Sequence, residues 1–357
     1  MNTKKIPKLI FLLSILLIAS CSKTEDNVPL SASTAEITVD KIVREASLRN
    51  QEIPFKIVTE AGNDVTDVAT FYIDGNEIIG NVFSSPTVGE FEVYGVYDDA
   101  GVETTTNTVG FRVIIPERKV VIEDYTGTWC VWCPRVTAAL VDVHEATDKV
   151  SVVAIHESGS GEYADPMHFP QIQDLKDEFG VEGLPAAQIN RTTSWSLPTI
   201  HNDSHIEEVT SIAGAVTNLG IGVNSQLIGS ELIVEVNLAY EEGSGQNDKL
   251  VVYLVENGIV YLQKNAYNTI DQSIYFGLGD PIPDFVHNDV LRASLSNVFG
   301  DVMPSIGALE EYTRTYNFNV PAEYNKENLS IVVMVVDENN TAKNSQFADV
   351  NEDKSYE

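Results

Sequence analysis

Short alternating runs of apolar and polar residues, each closed by a turn, fill the chain from Ala32 to Pro116. Glu36–Val39, Pro54–Thr59, Ala69–Ile73, Gly89–Tyr97 and Thr108–Ile115 read as strands, because alternation sends every second side chain to one face. Asp74-Gly75-Asn76 lies between two such runs and is a strong hairpin signal. Ala61-Gly62-Asn63-Asp64 and Asp98-Asp99-Ala100-Gly101 add further turns. Turns spaced about every 8–12 residues predict a small antiparallel β-sandwich.

The period changes after Pro116. Lys119–Tyr125 reads as a strand, and Lys149–Ile155 is a near-continuous apolar strand, as expected inside a parallel or mixed sheet. Pro134–Ala146 and Pro170–Phe179 carry helical spacing, the second through Ile172, Leu175 and Phe179. Leu184-Pro185-Ala-Ala-Gln-Ile189 reads as a strand with proline at its start. Asp203-Ser204 predicts a cap for a helix over His205–Asn218, with Ile206, Val209, Ile212, Ala213 and Val216 on one face. This segment is an α/β unit of ordinary domain size. β-type patterning returns from Gly220, in Leu232–Tyr240, Leu250–Val255 and the valine-rich Ser330–Val336, and predicts a second β-sandwich. Tyr267–Pro283 lacks a period and reads as a long loop, and the residues after Gln346 read as a frayed polar tail. The expected organisation is an immunoglobulin-like β-sandwich over 32–116, an α/β domain over 117–219, a C-terminal β-sandwich over 220–346 and a tail over 347–357.

The first residues belong to a different class of segment. Lys4, Lys5 and Lys8 precede an apolar run, Leu9–Ala19, which closes in Leu17-Ile-Ala-Ser-Cys21. Basic, apolar and small-residue zones in that order mark a secretory signal over 1–20. The run is shorter than the ~20 residues of a permanent span. Its ending resembles a bacterial lipobox, which implies cleavage before Cys21 and lipidation of that thiol. Residues 21–31 then read as a polar tether.

A formal charge of −31 makes the surface polyanionic, and removal of the signal lysines makes it more so. Such a surface repels phosphate backbones and anionic head groups, so no nucleic-acid partner is expected. Export to a disulfide-permissive compartment gives the remaining cysteines their meaning. Only Cys130 and Cys133 are left once Cys21 is assigned, and they form Cys130-Val-Trp-Cys133 between a predicted strand and a predicted helix. A helix N-terminus stabilises a thiolate and lowers its pKa, which suits thiol–disulfide exchange. A zinc site would need two further ligands. His201 and His205 have helical spacing but no accompanying carboxylate pattern, so they read as surface histidines and no metal or organic cofactor is expected. In exchange, Cys130 is the attacking sulfur and Cys133 resolves the mixed disulfide. A buried carboxylate that accepts the Cys133 proton would complete the site.

Val120-Val-Ile-Glu-Asp-Tyr-Thr-Gly-Thr-Trp-Cys-Val-Trp-Cys133 resembles the first strand and redox turn of thioredoxin, and Phe179-Gly-Val-Glu-Gly-Leu-Pro185 resembles the stretch that carries its cis-proline. The resemblance implies a cis Pro185 beside the cysteines, shaping the partner groove, and a buried acid at Asp124, with Glu123 as the fallback. Val131-Trp132 departs from thioredoxin's Gly-Pro, which leaves the redox direction open. Residues 157–170, flanked by His156 and bearing His168, form an insertion that reads as a surface loop. The order of segments, with Glu-Asp-Tyr-Thr-Gly-Thr-Trp-Cys-x-x-Cys-Pro and the run His287-Asn-Asp-Val-Leu-Arg292, resembles the Omp28 outer membrane lipoprotein family over roughly Lys119 to Val336. That resemblance implies a lipid-anchored outer-membrane protein facing periplasm or cell surface, with a thioredoxin-like domain flanked by the two β-sandwiches. Its expected partners are thiols or disulfides of exported proteins. The alternative is a binding or adhesion lipoprotein whose β-modules take a surface protein or glycan and whose thioredoxin-like domain is scaffold.

Overall fold

Seven consecutive buried residues, Val120–Thr126, make the strand β1 on which the cysteine turn is mounted. A run with no solvent face fits only a sheet covered on both sides. The computed structural model of the chain describes residues 35–39, 46–161, 164–196 and 205–357. β1 leads into helix α1 (Pro134–Ala146), which returns the chain to the parallel strand β2 (Val150–His156). Helix α2 (Ile172–Phe179) follows, ended by Gly180 in the left-handed conformation. β3 (Ala186–Ile189) then pairs antiparallel with β1, Tyr125 opposite Ala186. α1 packs Val136, Ala139 and Val143 onto Val120, Ile122 and Val152.

The rest of the chain is nearly all strand: β4 (Leu219–Ile228), β5 (Glu231–Tyr240), β6 (Lys249–Glu256), β7 (Ile259–Gln263), β8 (Ile282–His287), β9 (Val290–Ser294), β10 (Glu311–Asn319), β11 (Leu329–Val336) and β12 (Ala342–Asp349). A nine-stranded sheet runs Thr193–Ser194, β3, β1, β2, β9, β6, β11, β12, with Asp301–Val302 also on β6. β10, β5, β4 and Asp353–Lys354 form a second sheet, which covers one face of β6 and β11 through Val234, Val236, Val252 and Val333. The other face of β6 and β11 presents Tyr253, Val255 and Val332 to a core shared with Val121, Tyr125 and Leu175. The boundary expected at 219/220 therefore lies within one hydrogen-bonded sheet and one core. The whole is a mixed α/β multi-sheet fold, mostly strands with few helices.

Residues 46–114 form two sheets over a separate core that includes Phe55, Ile57, Phe71, Val93 and Phe111. The Asp74-Gly75 hairpin forms, both residues with positive φ, joining Thr70–Ile73 to Asn76–Ile78. Arg49 ties this segment to the body through paired bonds of 2.7 and 3.0 Å to Glu241.

Two sequence expectations change. The helix expected over His205–Asn218 is only Glu207–Thr210, and its expected cap lies outside the described residues. Gly214 turns left-handed, and the chain then pairs with residues 116–118, leaving Val216 exposed. The residues after Gln346 are not a frayed tail. β12 continues to Asp349, Asp353–Lys354 pairs with β4, Tyr356 is buried against Leu48, and Glu357 meets Lys119 at 2.6 Å. Alternation there is masked by polar residues that find partners on β4, such as Asn351, which accepts from the Leu227 amide at 2.8 Å.

Glu123, on the side of β1 away from α1, is fully buried and bonds Arg191 Nε at 3.0 Å and the Tyr125 hydroxyl at 3.1 Å. Arg191 also donates to the Tyr253 hydroxyl and the Val298 carbonyl, so this pair pins the β3 end to β6. Removing one member of a buried pair strands the other's charge. Arg191→Leu should lower stability in chemical denaturation by about 3–5 kcal/mol, and Glu123→Leu/Arg191→Leu by clearly less.

Candidate functional site

Alternation along β1 separates its two acids. Glu123 faces the shared core and is neutralised there, while Asp124 points with Ile122 toward α1. Asp124 is 2% exposed, and its Oδ1 has no hydrogen-bond partner. Burial, with the nearby charge of Asp289, raises its pKa to about 8. Asp124 borders a pocket of about 90 Å³, which Thr137 and His144 of α1 border from the other side. Thr137 lies one helical turn beyond Cys133, on the same side of α1.

Cys130 and Cys133 are joined in a disulfide at the start of α1, Cys133 occupying its N-cap and Pro134 its first position. Cys130 is 5% exposed and Cys133 1%, so the order of exposure is the expected one but both residues are buried. Val131 and Trp132 between them are the exposed part of the turn. The Leu184–Pro185 peptide is cis. Extending the β1–β3 register by one residue sets buried Pro185 beside Thr126, at the end of β1 that carries the cysteine turn.

Two insertions brace the turn. In residues 157–170, Asp165 accepts from the Thr128 amide and from His156 Nδ1, each at 2.8 Å, and the Glu157 carbonyl accepts from Trp129 Nε1. Burial alone would raise the Asp165 pKa, but these bonds and that from the Met167 amide hold it below the usual value. His156 is thus a buried ligand of this network and not a surface residue, while His168 is exposed. His205 lies beside Glu207, and His201 is outside the described residues.

The second insertion, between β6 and β9, includes Tyr267–Pro283, the segment that lacked a sequence period. Gln263 Nε2 reaches the carbonyls of Gly127 and Cys130, the Lys264 amide donates to Thr128, and the Ala266 amide donates to Val131. The Tyr267 ring stands edge-on to Trp132 at 5.3 Å, its hydroxyl bonded to the Trp132 carbonyl. Residues 263–267 therefore hold the cysteine turn almost entirely through its backbone carbonyls, a role that leaves no mark in side-chain pattern. The same insertion carries His287, Asn288 and Asp289 to the Asp124 pocket. These residues belong to the His-Asn-Asp-Val-Leu-Arg run, the one signal in the sequence that pointed at this segment. Among the described residues, no cluster of three or more histidine, cysteine or acidic groups is arranged to hold a metal ion. No described helix is long and apolar enough to cross a membrane.

The fold and site together define a mixed α/β protein with a Cys-x-x-Cys disulfide set into a strand-rich body. Its sequence matches the family described as outer membrane protein Omp28 over residues 172–354, just over half the chain, and the chain belongs to that family. The family name implies an outer-membrane address. The matched range begins at α2, so β1 and the cysteine turn lie outside it. Among solved structures, HBP35 of Porphyromonas gingivalis is similar, at 14% identity and a TM-score of 0.52 over 67% of this chain and 77% of that one, which shows a shared fold. An Agrobacterium tumefaciens protein follows at 13% identity and a TM-score of 0.41, over 66% of this chain and 96% of its own. No curated protein matches the sequence.

The sign of the Asp124 shift fixes a measurable consequence. The unfolded chain releases this proton near the ordinary carboxyl value of 3.8, whereas the folded chain keeps it to about pH 8. Folding therefore loses stability as pH climbs between those values. Asp124→Asn should be about 2–4 kcal/mol more stable than wild type above pH 8 and equal to it near pH 4 in pH-resolved thermal unfolding.

Proposed function

We propose that this protein is a lipid-anchored outer-membrane lipoprotein that exchanges disulfides with exported proteins through Cys130 and Cys133. In this reading residues 117–219 are a thioredoxin-like unit, residues 32–116 an immunoglobulin-like spacer, and Cys21 the lipidated residue. The observation that carries it is Asp124: a buried carboxylate without a partner costs stability, and a disulfide that served only as a staple would have no use for one. Cys130, at the outer end of the turn and next to exposed Val131, attacks or is attacked. Cys133, at the N-cap of α1 one helical turn before pocket-lining Thr137, resolves the mixed disulfide, and Asp124 takes its proton. Pro185, at the same end of the sheet, shapes the groove for the partner backbone. Exchange needs neither metal nor organic cofactor, because the electrons come from another thiol or disulfide.

A second reading has its own support. Both cysteines are buried, and residues 263–267 grip the turn, as suits a disulfide kept for stiffness in a binding lipoprotein whose strand-rich modules take a surface protein or glycan. The two readings separate in cells. Cys133→Ser should capture exported proteins as mixed disulfides through Cys130, visible as reductant-sensitive bands, and Cys130→Ser/Cys133→Ser should capture none. Equal, empty lanes from both variants, with a wild-type disulfide that resists mild reductant, would leave only the binding reading.

A further inference from the structure

Asp289 stands in the turn between β8 and β9, and backbone bonds fix its place. Its amide donates to Asn257 Oδ1 at 2.8 Å, and its carbonyl accepts from the Ala154 amide at 2.7 Å. Ala154 is the residue opposite Asp124 across the β1–β2 register. Two carboxylates from distant parts of the chain thus border one pocket. Histidines line it from the other elements: His144 of α1, His156 of β2, bonded to Asp165, and His287 of β8. Tyr275 of the cap also senses the Asp124 charge. The residues lining the pocket include no lysine or arginine, so no side-chain cation answers the two acids.

Asp124 Oδ1 and His287 Nε2 are both buried without partners, in residues 2% and 6% exposed. Polar atoms left open beside about 90 Å³ of space mark a place for a few waters. Asp289, unlike Asp124, is only half-buried, so it faces both the pocket and the solvent.

We propose that Asp289 pairs with Asp124 to share one proton and to pass the Cys133 proton between the protein interior and bulk water. The inference rests on the exchange reading of Cys130 and Cys133. With a partner bound to Cys130 as a mixed disulfide, Asp124 first passes its proton through pocket water to ionised Asp289, and the Cys133 thiol then gives its own proton to the freed Asp124 carboxylate. The Cys133 sulfur bonds to Cys130 Sγ as the bond from Cys130 to the partner breaks. The partner leaves as a thiolate with the bonding pair. Its disulfide has been reduced by two electrons, and the Cys130/Cys133 dithiol has been oxidised. Asp289 releases the proton it received to solvent, where the departing thiolate can be protonated. Oxidation of a partner dithiol runs the same path inward. Asp289 acts through Asp124 and is a positioning residue for the proton.

The chemistry supports the order of the relay. Burial raises Asp289 to about 7, below Asp124 at about 8, so the outer acid ionises first and its charge holds the proton on the inner one. His287 is kept neutral, lowered to about 4 by burial and by His156. A pair coupled in this way titrates in two macroscopic steps.

Asp289 has φ +56°, which asparagine and glycine both accept, so Asp289→Asn and Asp289→Gly keep the turn. In the full chain with its disulfide intact, carbon-13 NMR of labelled aspartate carboxyls should show the Asp124 midpoint falling by about one pH unit in either variant. An unmoved midpoint in both overturns the pair. Closure of a Cys130–glutathione mixed disulfide, followed against pH, should slow about tenfold in Asp289→Asn near neutrality, with its inflection displaced to lower pH. A wild-type pH profile in the variants overturns the relay. Coupled carboxyl titrations in a protein whose disulfide exchanges with no small thiol would instead sink the exchange reading, and with it the proton's destination.

Discussion

The seam between β2 and β9 is the contact on which the site depends. It is short, with Ala154 opposite Val290 and the Ala154 amide bonded to the Asp289 carbonyl, yet it joins the βαβ unit to the C-terminal strands in one sheet. Without it, β2 would be an open edge strand next to β1, and water could reach Asp124 under α1. With it, β8 and the β8–β9 turn close over β2 and bring His287 and Asp289 to the same pocket. The core shared by Val121, Tyr125, Tyr253 and Val332, locked by Glu123 and Arg191, holds the seam against sliding. The raised acid is thus a product of the assembly, because only the assembly removes the water.

The same arrangement restrains the disulfide. Residues 263–267 bond the carbonyls of Thr128, Cys130, Val131 and Trp132, and Asp165 bonds the Thr128 amide, so the turn is held by its backbone on both flanks. Such support fixes geometry while leaving the side chains of Val131 and Trp132 outward. A partner polypeptide would meet these two side chains first and would have to approach Cys130 from beside them. In the proposed reading, narrow access and a buried acid below the disulfide would favour exchange with selected partners over bulk thiols.

Legibility followed physical locality. β1, α1 and β2 were readable because their periods are strong and consecutive, and the cysteine turn and Pro185 because they stand at the ends of those elements. Asp124 was readable as a candidate but not its isolation, which depends on strands more than 100 residues away. The helix over His205–Asn218 failed because Gly214 and pairing with residues 116–118 outweighed a good apolar stripe. The region after Gln346 failed in the opposite sense, its polar residues finding partners on β4 and at Lys119, with Asn351 accepting from the Leu227 amide and Glu357 paired with Lys119. Gln263 and its neighbours were invisible because what they bond are main-chain carbonyls of the cysteine turn, which any residue sequence there would present.

The central claim is that the Cys130–Cys133 bond is in redox equilibrium and shares its protons with an acid inside the protein. The most direct measurement is the reduction potential of that pair in thiol–disulfide buffers from pH 5 to pH 9. The account predicts a measurable equilibrium whose pH slope changes near pH 8, where Asp124 titrates in the oxidised form. A single unbroken slope across that range, or a disulfide that never equilibrates with the buffer, would contradict it.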